Sequence, residues 1–215
     1  MDSGIIFAIS SALMATGSSQ SKPLPVKAPA LAKEIHSRAI ADQQARGKDT
    51  EWMDRYGPNG EKINLALDQE KRKEIMDARQ AIIRACVSID RNNTHWLKNV
   101  VKRYGWPTTS LVGKEGSEEA WLLVQHADLD PAFQRLCLDL MAKLPEGEIS
   151  KTDFAYLTDR VLLAEGKKQL YGTQFIWVNG KYTPNPIEDE ANVDKMRMAV
   201  GLKPLADRAK ELEEK

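Results

Sequence analysis

Apolar residues recur at helical spacing through most of this chain. Leu31, Ile35 and Ala39 form one stripe and predict a helix over Ala28–Ala45. Asp49 and Thr50 can cap a short second helix that carries Met53 and Tyr56. Gly57-Pro58-Asn59-Gly60 reads as a turn. A long helix should start near Leu65, with Ile75, Ala78, Ile82, Ile83, Cys86 and Val87 on its apolar face. Asn92-Asn93-Thr94 should break it and cap a helix whose inner side holds Trp96, Leu97, Val100, Val101 and Tyr104.

Gly105-Trp106-Pro107 stops that helix, because glycine suits the position after the last turn and proline cannot continue it. Ser117 is expected to cap a short apolar helix from Ala120 to His126. Asp130-Pro131 is an N-cap followed by proline in the first turn; Phe133, Leu136, Cys137, Leu140, Met141 and Leu144 follow on one face. Ser150 with Asp153 resembles a capping box, ahead of Phe154, Leu157, Val161 and Ala164. The period then changes. Leu170 to Val178 is rich in aromatic and β-branched residues, and Asn179-Gly180 leads into Lys181-Tyr182-Thr183. A last helix is expected over Ala191–Val200, and Ala206–Lys215 reads as a charged, frayed tail.

These patterns predict a mainly α fold, a helical domain with one small β-hairpin at about Leu170–Thr183. The expected organisation is a signal-like segment over 1–17, a linker and N-terminal helix over 18–49, one helical domain over 50–205 and a tail over 206–215. The run Ile5–Ala15 is too short to span a bilayer, which takes about 20 residues. Its length and the small residues Ala15 and Gly17 suit a secretory signal, hence a periplasmic or secreted protein. Asp2 and the lack of any preceding Lys or Arg point instead to an apolar N-terminal helix and a cytoplasmic chain.

Charge narrows the choice of partners. Lys+Arg 31 against Asp+Glu 31 leaves no net field to draw in nucleic acid. The stretch Lys62–Arg103 is locally basic, but Asp68 with Arg72 and Glu70 with Lys73 are spaced to pair on a solvated helix face. Cys86 and Cys137 both fall on apolar stripes and read as buried thiols. Together with His36, His95 and His126 they do not form a zinc site of the usual spacing, and no metal ligands are assigned.

Candidate chemistry gathers between Tyr104 and Gln174, where polar signatures interrupt apolar patterning. In Gln125-His126-Ala127-Asp128, the histidine can serve as acid or base, with an unperturbed pKa of about 6.5. Asp128 or Asp159 could orient it. Otherwise His126 simply meets the carbonyls at its helix end, and Asp128 caps the next helix. Tyr156, Asp159 and Arg160 share one helix face, so Arg160 could grip a carboxylate or phosphate; the other reading is a solvated face with surface ion pairs. Gln134, Gln169, Tyr171 and Gln174 place hydrogen-bonding groups among apolar positions. They either tie the hairpin to the helices or contact a ligand.

The segments Tyr104-Gly105-Trp106-Pro107, Gln125-His126-Ala127-Asp128, Asp159-Arg160, Tyr171-Gly172-Thr173-Gln174 and Gly201-Leu202-Lys203-Pro204-Leu205 occur in that order. Over roughly Asp68–Leu205 the chain resembles a bacterial family of domains of unknown function. The resemblance implies one domain and carries no activity with it.

The chain lacks a Gly-x-Ser-x-Gly elbow, a phosphate loop, Gly-x-Gly-x-x-Gly and His-Glu-x-x-His. Two functional readings remain. One is a polar pocket for a small anionic or zwitterionic ligand, with hydrolysis or group transfer that needs no cofactor. There His126, Asp128 and Asp159 would be catalytic, and Gln125, Gln134, Tyr156, Arg160, Gln169, Tyr171 and Gln174 would bind. The other is a non-enzymatic envelope or protein-interaction module in which the same residues form an internal network.

Overall fold

The computed structural model describes residues 26–57, 59–178 and 180–214. The expected signal and most of the expected linker lie outside these residues, as do Pro58, Asn179 and Lys215. The described residues form α1 (Pro29–Tyr56), α2 (Gln69–Tyr104), α3 (Thr109–Gln125), α4 (Pro131–Met141), α5 (Lys151–Ala164), β1 (Phe175–Val178), β2 (Lys181–Pro184), α6 (Val193–Ala199) and α7 (Leu205–Glu213). The fold is mainly α with one two-stranded antiparallel hairpin, registered Phe175 to Pro184 and Val178 to Lys181. No helix among the described residues is long and apolar enough to cross a membrane.

α1 packs along α3 and α2, α4 pairs with α5, and α5 closes on α3. Ile35, Leu97, Ala120, Leu123, Val124, Cys137, Leu157 and Val161 are buried in one continuous core. Gly116 lets α1 and α3 approach closely: a Cβ there would sit 3.1 Å from the Val112 side chain and 3.7 Å from Ala32 Cβ. α3 bends at Gly113, whose φ of 82° lies in the left-handed region that favours glycine.

Several boundaries differ from the expectation, and each has a local cause. α1 runs unbroken through Asp49 and Thr50. Asp49 takes an ion pair from Arg79 at 3.1 Å, and the Thr50 hydroxyl donates back to the Arg46 carbonyl, so neither caps a new helix. α2 continues through Asn92-Asn93-Thr94, because both asparagine side-chain oxygens accept from Arg38 Nη1, at 2.8 and 3.1 Å. α2 also starts later, at Gln69, where Asp68 caps Lys71 N at 2.7 Å. The surface pairs shift in consequence to Lys71–Glu74 and Lys73–Asp77. Its expected apolar face is half-buried at Ile75, Ile82, Ile83, Cys86 and Val87 and exposed at Ala78.

Ser117 lies inside α3 rather than at its start, and its hydroxyl is buried. The caps at Asp130 and Ser150 are present: Asp130 accepts from Phe133 N at 3.1 Å and Ser150 from Asp153 N at 3.2 Å. The chain from Leu170 to Gln174 is a held loop instead of a strand, and the hairpin begins at Phe175. The expected frayed tail is α7, anchored by buried Leu212 and packed against β2 and α6. Cys86 and Cys137 are free thiols, and burial pushes the latter up to about 12.

Candidate functional site

His126 closes α3, its N–H bonded to the Leu122 carbonyl, and its ring reaches into the junction of α1 and α2. Asp42 on α1 lies there at 1% exposure, with its oxygens 3.0 and 3.1 Å from His126 Nδ1. Arg46, one turn further along α1, places Nε 3.0 Å from the same Nδ1 and 3.3 Å from Asp42, and donates from Nη2 to Asp90 of α2 at 2.6 Å. A carboxylate only accepts, so Nδ1–H donates to Asp42 and the Arg46 Nε–H is left to the Asp42 oxygens. That assigns the free lone pair to Nε2, which has no hydrogen-bond partner among the described residues.

The two carboxyl groups around Arg46 are pushed in opposite directions. At Asp42 burial works against ionisation, but the bonds from His126 and the charge of Arg46 outweigh it, and the pKa lies below the usual value. Asp90 is raised to about 7, first by burial and then by the nearby Asp42 and Asp128, against the pull of Arg46. Arg46 thus balances one ionised acid and one acid close to its titration point near neutral pH. Burial holds His126 below its usual pKa, and hence neutral. Arg46 and Asp90 side chains are 31% and 16% exposed, which puts the edge of this buried cluster within reach of solvent.

The remaining residues singled out in the sequence lie elsewhere. Asp128 does not orient His126: it accepts two bonds from Arg160 Nη1, at 2.6 and 2.7 Å, and one from Gln134 at 3.2 Å. Gln134 also donates to the carbonyls of Val124 and Gln125, so it ties α4 to the end of α3. The Asp130 carboxylate, besides its cap, pairs with Lys98.

Asp159 does not meet His126 either. Fully buried, it accepts the backbone N–H of Leu170 (2.7 Å), Tyr171 (3.0 Å) and Thr173 (2.9 Å), and the Thr173 hydroxyl (2.9 Å). Burial raises its pKa while these donors pull the other way. Every neighbour donates, so the carboxylate is the form the geometry fits. Gln169 donates to the Gln174 and Asn185 carbonyls and accepts from Gln174 N, and the Gln174 amide donates to the Thr173 hydroxyl. Tyr171 is half-buried, and its carbonyl accepts from Arg197 at 2.6 Å. Gly172 is required where it stands: a Cβ would lie 2.9 Å from both Ile187 and Leu205. The Asp159–Arg160 and Tyr171–Gln174 segments therefore meet, but as a loop clamp rather than around His126.

A third polar region lines the contact between α3 and α5. Ser117, Trp121 and Gln125 follow every fourth residue on α3, and Trp121 meets Tyr156 of α5 edge-on, ring centroids 6.0 Å apart. Asp153 feels Glu118 and Lys114 of α3, and burial pushes it up to about 7. Ser117 Oγ, Trp121 Nε1, both side-chain polar atoms of Gln125 and Asp153 Oδ2 are buried with no hydrogen-bond partner. Left empty-handed, such groups cost about 1–3 kcal/mol each.

Asp42, Arg46, Asp90 and Arg197 are the residues that sequence reasoning passed over. A signal existed for three of them. Asp42 continues the Ile35/Ala39 stripe, Asp90 lies four residues after Cys86, and Arg197 four after Val193; each is a charge on a face otherwise turned inward. Arg46 carried no such mark.

Comparison with known families places residues 62–215 in a family of unknown function, DUF6624. The chain belongs to this family. α1, with Asp42 and Arg46, precedes the segment that matches DUF6624, whereas His126, Asp90, Asp128, Asp159 and Arg197 fall inside it. No curated protein and no solved structure matches the chain.

The arrangement around His126 can hold and move protons: a neutral imidazole, an ionised carboxylate behind it and a second acid near its titration point. Asp42, Asp90 and His126 also bring their ligand atoms within 4.8 Å of one another, a spacing that could take a metal ion. Arg46 already puts a guanidinium between them, so a cation would have to displace it. Nearer the surface, His36, Glu115 and Glu119 converge in the same way, with His36 Nδ1 2.6 Å from Glu119.

Proposed function

We propose that this DUF6624 member binds a small anionic or zwitterionic molecule beside His126 and carries out acid–base chemistry on it, hydrolysis or group transfer. The observation that carries the reading is the Asp42–His126 pair. A buried carboxylate fixes the tautomer of a neutral imidazole and leaves Nε2 as the base, the arrangement by which a carboxylate and histidine cooperate in general-base catalysis. Asp90, close to its titration point, is the complementary acid. Arg46, part-exposed, offers the positive charge that an anionic group would meet.

The reading is tested by thermal shift of the full chain against carboxylates, phosphate monoesters and amino acids, then by turnover of nitrophenyl esters and phosphates. A ligand response or turnover present in the wild type and lost in His126→Gln, at equal intrinsic Tm, supports it. If the wild type responds to no probe, the centre is a structural polar cluster. The second reading, a binding module without catalysis, draws support from Asp159, Gln169 and Gln174, whose hydrogen bonds are spent on the protein's own backbone.

We place the protein in the periplasm or outside the cell, on the strength of the Ile5–Ala15 run followed by small residues. Mass spectrometry of the protein expressed in a bacterium with its native N-terminus tests this: a chain shortened after Gly17 supports export, and an intact Met1 chain retained in the cytoplasm refutes it.

A further inference from the structure

We propose that His36, Glu115 and Glu119 form a binding site for a divalent transition-metal ion of the zinc type, one that clips α1 to α3. It is separate from the His126 centre and does not depend on the function proposed above. α1 and α3 run in step along their contact. Ala28 N donates to the Leu111 carbonyl at 2.9 Å, a Cβ at Gly116 would lie 3.7 Å from Ala32 Cβ, and His36 Nδ1 stands 2.6 Å from Glu119 Oε1. Glu115 and Glu119 are four residues apart on α3 and so share the face that meets His36. The three side chains bring their ligand atoms within 4.8 Å of one another.

Geometry, charge and donor chemistry favour an ion here over a surface ion pair alone. A tetrahedral ion held at about 2.1 Å by each ligand sets its donors about 3.4 Å apart. That separation lies inside the range the cluster spans, and the His36 side chain, 50% exposed, is free to make the small rotation required. Two carboxylates face one imidazole, so the cluster is short of positive charge. The hydrogen bond and charge of Glu119 hold His36 above its usual pKa. Glu119 nonetheless lies above the ordinary carboxylate value, through burial first and then through Glu115 and Glu118 beside it. Arg38 is turned to Glu34, Asn92 and Asn93, and Lys114 to Glu118. A divalent ion supplies the charge that one imidazolium does not. Among Asp42, Asp90 and His126, by contrast, Arg46 already does so. Imidazole suits zinc and its first-row neighbours, whereas magnesium and calcium take oxygen ligands. α1 precedes the DUF6624-matching segment and α3 lies within it, so the ion ties the helix that delivers Asp42 to the family's own domain.

Isothermal titration of the full, untagged chain with zinc chloride, and with magnesium chloride as comparator, tests the assignment. Saturable zinc binding is expected, weakened at least about tenfold in His36→Gln and in Glu115→Gln, the loss caused even by a residue that only supports a metal ligand. Both residues are exposed, so both variants should fold. Bound zinc should also raise the Tm of the wild type, and raise that of His36→Gln less. His126→Gln separates the two centres, since it should keep the zinc affinity. No saturable zinc binding would mean that His36 and Glu119 are an ion pair and nothing more, and would overturn the proposal. Zinc affinity that survives His36→Gln, or is lost in His126→Gln, would put the ion elsewhere and overturn it too. So would magnesium bound as tightly as zinc, or zinc that leaves the wild-type Tm unchanged.

Discussion

Asp42 and Asp159 are both carboxylates at 1% exposure or less, and they differ in who answers them. Asp159 is met by three backbone N–H groups and a hydroxyl, all from the Leu170–Thr173 loop. None of these donors titrates in the physiological range, so the carboxylate and the loop define each other's position and little else can change. Asp42 is met by an imidazole, a guanidinium and the Gln43 amide, with a second acid across the same guanidinium. There the protonation state of one group sets that of the next. Burial alone does not separate a structural acid from a chemical one; the nature of its donors does.

The comparison breaks first at the clamp. Asp159→Asn turns one acceptor into a donor aimed at backbone N–H groups and should cost about 3 kcal/mol, read as a lower urea midpoint at unchanged slope. An Asn variant of wild-type stability would place Asp159 with the titrating acids instead. Arg197→Met should follow at about 2 kcal/mol. Its guanidinium donates to the carbonyls of Lys203 (2.6 Å), Tyr171 (2.6 Å) and Gly172 (3.1 Å), and so holds the far side of the same loop. Gln134→Leu should cost about 1–2 kcal/mol, because two carbonyls at the end of α3 lose a donor.

At the His126 centre the expected effect is on pH dependence more than on stability at one pH. Asp90 holds its proton more tightly folded than unfolded, since its pKa rises from 3.8 to about 7. Its stabilising contribution is therefore complete below about 3.8 and is lost as pH climbs toward about 7. Asp90→Asn should flatten the stability profile over that window, leaving the share of Asp153, which shifts the same way. A profile unchanged by Asp90→Asn would show that the acid is ionised throughout. The smallest effect is expected of His126→Gln, within about 1 kcal/mol in stability because the amide can still donate to Asp42. A much larger loss would move His126 to the side of the clamp.

The helices, their caps at Asp130 and Ser150 and the hairpin were legible because each is set by spacing within a few residues. The misread boundaries share a cause. Asn92, Asn93 and Asp49 look like caps in isolation, but in the fold Arg38 and Arg79 claim their oxygens from distant turns. The tail over 206–215 looked unsupported because Leu212 is its one buried residue among those described, and its cover comes from elsewhere in the chain.

The candidate site divides along the same line. The sequence by itself marked His126, Gln125, Gln134, Gln169 and Gln174 as polar groups among apolar residues and set Asp159 and Arg160 on a helix face apart from the core stripe of α5; all seven are buried. It could not say which of them meet. Only the tertiary structure decided that Asp42, 84 residues away, stands behind His126, that Asp128 belongs to Arg160, and that Asp159 holds a loop. Periodicity reports whether a side chain turns inward, because that depends on its own helix. Its partner depends on which helix packs opposite, and no local pattern records that choice.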